Sequence, residues 1–200
     1  MNKDNVIIYV SSRNNYDMLE SEVLKNIDTE GFEFINVDDK SCDEEIAKGK
    51  TICKNHNIVF LENKSRGVQM ATQTLIDFIN ESRPNCKWII CFQHDHYPLS
   101  KDFFCSINKR IQDNLLDEFG LIGFNVLDKG NYTGDAYNRF LQGESPLGMI
   151  GMCHLSIHDR TGRWLCPKQQ GQLLKQDIWK TPFIVEFPMW ASVGINIDKW

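Results

Sequence analysis

The 200-residue sequence contains no C-x-x-C pair, although it holds seven cysteines, at 42, 53, 86, 91, 105, 153 and 166. An odd, scattered set of this kind argues against a disulfide framework and against a zinc ribbon. The thiols read as free, mostly small core residues in a reducing, cytoplasmic compartment. No apolar run is long enough for a membrane span or for the core of a signal peptide. Basic residues are not in excess: 22 Lys and Arg face 27 Asp and Glu, for a net charge of -5. That excludes a general nucleic-acid binder, which needs a basic face. An anionic substrate would need a local cationic site or a metal to neutralise it. Repeats, low-complexity tracts and linkers are also missing, so residues 1–200 read as one domain.

What is present is an alternation. "VIIYV" (6–10) is a short, β-branched apolar run, the mark of a strand buried on both faces. Leu19, Val23, Leu24 and Ile27 then share one helical face, with Asn15 or Asp17 placed to cap it. "FEFINV" (32–37) is a second strand, followed by a weaker helix over 43–55. "NIVFLE" (57–62) is a third, followed by a helix marked by Val68, Ala71, Leu75, Phe78 and Ile79. "WIICF" (88–92) is a fourth. Ser100 is placed to cap the next helix, which carries Phe104, Ile107, Ile111 and Leu115 in register, and Gly120 to end it. "LIGFNV" (121–126) is a fifth strand; "FIVEF" (183–187) and "ASVGINIDKW" resume the sheet and open a helix. The expectation is an α/β fold, a mostly parallel sheet flanked by helices. Residues 128–182, glycine-rich and aperiodic, read as a loop-rich insert with a task of its own.

In such sheets ligands bind at the carboxyl ends of the strands. The first four strands discharge there into Ser11-Ser12-Arg13, Asp38-Asp39-Lys40, Asn63-Lys64-Ser65-Arg66 and Gln93-His94-Asp95-His96. Asp95 suits a hard cation such as Mn2+ or Mg2+, or it caps the turn. His94 and His96 share one side if the strand continues, Gln93 and Asp95 the other, and either imidazole can ligate metal or donate to phosphate. Asp38-Asp39 can accept from a base or a ribose hydroxyl, or simply form a turn. Arg66-Gly67 opens a helix and suits phosphate, or is a plain loop. His154 and His158 are spaced i, i+4 as zinc ligands can be, yet no third ligand stands close by.

Taken in order, these segments resemble the family 2-like glycosyltransferases with the GT-A fold, a Rossmann-like architecture. The matching stretches are "VIIYVSSRNN", "NVDDKSCD" (36–43), "SRGVQMATQ" (65–73), "QHDHYP", "GLIGFNV" and "MWASVGINI". In that pattern Gln93 stands where the family has the first aspartate of D-x-D, and Ser65 and Gln73 replace asparagines.

The resemblance implies transfer of a sugar from a nucleoside diphosphate donor, UDP first, to a hydroxyl of a saccharide, glycan or other acceptor, with inversion. Ser12, Arg13, Asp38, Asp39, Arg66, Gln93, His94 and Asp95 would bind the nucleotide-sugar. Asp95, helped by His96, would hold Mn2+ or Mg2+. Residues 1–127 would be the nucleotide-sugar half and 128–200 the acceptor side. The general base would be Asp198, Asp177 or Glu144, or lie past Trp200. Two other readings compete. One is a zinc or two-metal hydrolase using His94, Asp95, His96 and His154 or His158. The other is a catalytically silent sugar-nucleotide-binding module of a longer polypeptide.

Overall fold

The computed structural model describes residues 3–94, 96–98, 101–124 and 192–199. Within them the alternation holds: β1 (Val6–Ser12), β2 (Glu33–Asp38), β3 (Val59–Glu62), β4 (Trp88–Gln93), β5 (Leu121–Gly123) and β6 (Ser192–Asn196). The helices are α1 (Tyr16–Met18), running straight into a π-helix (Leu19–Leu24), α2 (Asp43–Asn55), α3 (Val68–Ser82) and α4 (Phe103–Gln112). A 3-10 turn, Ile197–Lys199, follows β6.

The strands form one sheet in the order β3-β2-β1-β4-β6-β5. β1 pairs in parallel with both β2 and β4, and β2 with β3. β6 ends where β4 and β5 begin: Ile197 N donates to Lys87 O at 2.8 Å and Asn196 N to Gly120 O at 2.9 Å. It therefore runs against its neighbours in a mostly parallel, Rossmann-like α/β sheet. Gly194 lets it close in, since a Cβ there would lie 2.5 Å from Ile122 Cγ1.

The core explains the order. Ile7, Ile8, Tyr9 and Val10 of β1 and Ile89, Ile90, Cys91 and Phe92 of β4 are all buried, as strands covered on both faces must be. Leu75, Ile76 and Ile79 of α3, and Phe104, Ile107 and Ile111 of α4, supply the covering apolar faces. Cys53, Cys86 and Cys91 are buried and free, matching the core role read from the sequence; Cys42 is exposed and Cys105 half-buried. The chain clusters into two compact units, Met1–Ile122 with Gly194–Trp200, and Gly123–Val193. The insert expected over 128–182 and the strand expected over 183–187 lie outside the described residues.

Several boundaries differ from the sequence reading. The helix expected over 17–27 is a single α-turn that widens into a π-helix, yet Leu19 and Val23 still face inward. α4 starts at Phe103, with Asp102 at its N-cap making no side-chain cap bond. Its open amides are taken from far away: Glu30 Oε1 accepts from Phe104 N at 2.9 Å, and Oε2 from Cys105 N at 3.0 Å. Gly120 does not end α4. Asn114, at φ 58°, ends it. Leu115 N donates to Arg110 O at 2.9 Å and Asn114 N to Ile111 O at 3.0 Å, the paired bonds of a Schellman motif. Leu115 consequently leaves the apolar face and is 59% exposed. Asn57, at φ 55°, closes α2 by the same device.

Candidate functional site

The strand order reverses between β1 and β4. The crevice beyond the carboxyl ends of those strands is where open α/β sheets take ligands. Register fixes what meets there: Ser12 lies beside Asp38, Ser11 beside Gln93, and Asp38 beside Glu62. Adjacent strands lie about 4.8 Å apart, so the ends of β1, β2 and β4 form one rim.

Two polar networks shape this rim. The inner one is buried. Ser12 Oγ donates to Asn36 Oδ1 at 2.6 Å, Asn36 Nδ2 to the Tyr16 hydroxyl at 3.3 Å, and that hydroxyl to Asp38 Oδ2 at 2.7 Å. Asp38 Oδ1 accepts from Ser41 N at 3.0 Å. Burial, then the bond to Asp38 and the charge of that carboxylate, push the Tyr16 phenol well above its usual range, so it stays a donor. Tyr16 fits because α2 offers Gly49 beneath its ring; a Cβ there would sit 2.5 Å from Tyr16 Cζ.

The outer network joins β2, β3 and α3. Asp39 Oδ1 accepts from Gly67 N at 2.6 Å and from Asn63 Nδ2 at 2.8 Å. Asn63 Oδ1 accepts from Thr74 Oγ1 at 3.0 Å. Gly67 is the N-cap of α3 at φ 127°, a conformation open in practice to glycine alone. The loops are stapled as well: Asn14 N donates to Ser41 Oγ and Cys42 N to Asn14 Oδ1, both at 2.9 Å.

These placements sort the residues expected from the sequence. Ser12 and Asp38 are each 1% exposed and face inward, so they hold the rim together rather than line it. Asp39, at the same corner, is 8% exposed; its Oδ1 takes both bonds and its Oδ2 makes no hydrogen bond among the described residues. Arg66 is exposed beside Gly67, but the helix amide expected to meet a phosphate already serves Asp39. Gln93 is exposed and His94 half-buried, with Asn15 Nδ2 3.4 Å from His94 Nε2 across the crevice. The strand does not continue past Gln93. His96 N turns back to Gln93 O at 3.0 Å, so the alternation expected for Gln93 to His96 is replaced by a turn.

Asp198 is not at this rim. It follows β6 at the end of the sheet where β4 begins, opposite to the crevice. Asp95, Glu144, Asp177, His154 and His158 lie outside the described residues. Among the described residues no group of three or more His, Cys, Asp or Glu gathers as a metal cage, and no helix is long and apolar enough to cross a membrane. Tyr16 and Asn36 went unremarked in the sequence, and Asn63 stood out only as one of the polar residues after the third strand. Asn36 carried a signal, a polar side chain inside the apolar run "FINV".

No protein-family model and no curated protein matches the chain. Solved structures resemble it in part. A mannosyltransferase from Pyrobaculum calidifontis, in complex with GDP-Man and Mn2+, is 16% identical with a TM-score of 0.48, over 66% of this chain and 38% of that one. TarS of S. aureus, in complex with UDP-GlcNAc, is 13% identical with a TM-score of 0.43, over 60% of this chain and 33% of that one. A 4-diphosphocytidyl-2C-methyl-D-erythritol synthase from Anaerococcus prevotii is 13% identical with a TM-score of 0.45, over 99% of this chain and 74% of that one. The chain thus spans about a third of the length of the first two.

Proposed function

We propose that the chain binds a nucleoside diphosphate-sugar at the crevice between β1 and β4 and transfers the sugar to an acceptor hydroxyl. One observation carries the reading. Separate segments ending β1, β2 and β4 and opening α3 converge at the switch point, with a carboxylate, Asp39, presented from the end of β2. That is the place from which α/β nucleotide folds address a base or ribose.

Asp39, rather than Asp38 whose two oxygens are both bonded, would accept from the nucleoside through Oδ2. An anionic phosphate is disfavoured beside that carboxylate, so the diphosphate would point away from α3, toward the end of β4. Arg66 would approach the base from the solvent side. The donors at the end of β4 are one carboxylate, Asp95, the imidazole of His96 and the amide of Gln93. They fit a hard divalent ion through Asp95, with His96 assisting. Mn2+ or Mg2+ held there would supply Lewis-acid neutralisation of the departing diphosphate. The base for an inverting transfer would be Glu144 or Asp177.

The test is calorimetric titration of UDP, GDP, UDP-GlcNAc and GDP-Man, with and without Mn2+, on the parent chain and on Asp95→Ala. One of the nucleotides should bind with a micromolar Kd, and Asp95→Ala should remove the gain due to metal. Silence from all four at millimolar concentration rules the reading out.

A further inference from the structure

Arg13 is the first residue after β1, at the point where the strand order reverses. Its side chain is half-buried, and its Nε is fully buried with no hydrogen-bond partner. It takes part in no ion pair among the described residues. Of the two carboxylates at the end of the neighbouring strand, Asp38 is bonded through both oxygens to Tyr16 and Ser41 and Asp39 through Oδ1 to Gly67 and Asn63, and neither forms an ion pair with Arg13. Arg83 shows what the same fold does with a structural guanidinium. Its Nε and Nη2 both engage Glu33, at 2.8 and 2.7 Å.

A buried N–H without an acceptor is costly, and a cation drawn from water without a counter-charge costs more. A neutral base carbonyl would relieve only the first cost. An anionic oxygen relieves both, and guanidinium is the side chain best matched to phosphate. We infer that Arg13 is the built-in counter-ion of the diphosphate, its Nε donating to a phosphoryl oxygen of the nucleotide. The inference rests on the nucleotide-sugar reading above. It goes further in assigning the phosphate contact to this chain's own arginine and in making diphosphate binding largely independent of a divalent ion. The chain has Gln93 where a second carboxylate for metal is absent, and a cation from the protein fills the same electrostatic need.

The experiment is titration in EDTA of UDP and GDP against uridine and guanosine, on the parent chain, Arg13→Lys and Arg13→Gln, with thermal melts of each apo protein. The parent should bind a diphosphate more tightly than its nucleoside without metal. Arg13→Gln should weaken the diphosphate about tenfold to a hundredfold and leave the nucleoside unchanged. Arg13→Lys should keep part of the preference through its charge. The apo Tm of Arg13→Gln should hold or rise, because an unsatisfied cation has been removed. Equal loss for diphosphate and nucleoside, no loss at all, a lowered apo Tm, or parent binding that vanishes in EDTA each overturns the inference while leaving the nucleotide reading intact. Absence of any diphosphate binding, with or without Mn2+, overturns both.

Discussion

The Tyr16 hydroxyl donates to Asp38 Oδ2 at 2.7 Å, and both groups are buried. The bond ties the chain just past β1 to the last residue of β2. Tyr16→Phe strips one donor from a buried carboxylate. The expected cost is about 1–3 kcal/mol of stability, read as a lowered urea midpoint. Asp38→Asn, which removes the charge as well as weakening the bond, should be no milder. A Tyr16→Phe midpoint equal to the parent's would show that the bond contributes nothing.

Gly49→Ala should destabilise by overpacking, about 1–3 kcal/mol, because its methyl would stand 2.5 Å from the Tyr16 ring. The diagnostic is the double variant with Tyr16→Ala, which vacates the ring. The Gly49→Ala penalty should then shrink or reverse, as substitutions sharing a contact are not additive. Equal penalties in both backgrounds would refute the contact.

Gly67 behaves differently. A Cβ there meets nothing within 4 Å, yet φ is 127°. The cost of Gly67→Ala is backbone strain, about 1–3 kcal/mol, and it falls on the amide that serves Asp39. Both Tm and nucleotide affinity should drop. A variant with unchanged Tm would contradict the conformation.

Asp198→Ala should leave nucleotide affinity unchanged within twofold, since the residue follows β6 at the far end of the sheet. β4 alone, six residues long, separates that end from the crevice by roughly 20 Å at about 3.3 Å per residue. A tenfold loss of affinity would place the residue wrongly.

Alkali should unfold the protein through its thiols. Burial pushes Cys53, Cys86 and Cys91 up from 9.0 to about 12. Above pH 9 the unfolded chain releases protons that the native state keeps. The stabilising contribution is therefore complete below pH 9 and is lost as pH rises toward 12. Each thiol contributes a slope of about 1.4 kcal/mol per pH unit. Urea midpoints should fall between pH 8 and 11, with the buried phenols of Tyr9 and Tyr16 steepening the fall above about pH 10, and Cys91→Ala should make the fall shallower. A flat profile would contradict this.

The sheet was readable because strand burial writes itself as apolar runs, and β1 and β4 sit close to where "VIIYV" and "WIICF" pointed. Helix ends were less readable. A glycine was expected to stop α4, but asparagines at 57 and 114 adopt the left-handed turn instead. The cap of α4 comes from Glu30, more than seventy residues upstream, and no local pattern announces such a partner. At the site, the pairing of Asp38 with Asp39 was visible, but not their division of labour. That Asp38 has both oxygens bonded depends in part on Tyr16, which packs over Gly49 across the fold, and neither position looks unusual in sequence.

The mutual bonds between Asn14 and the Ser41–Cys42 backbone and hydroxyl have a kinetic meaning. Two walls of the crevice are already stitched together in the free protein, so an arriving molecule spends little entropy on organising them. Recognition there becomes a matter of docking into a finished mould, with residence time governed by departure rather than by the slow assembly of a loop.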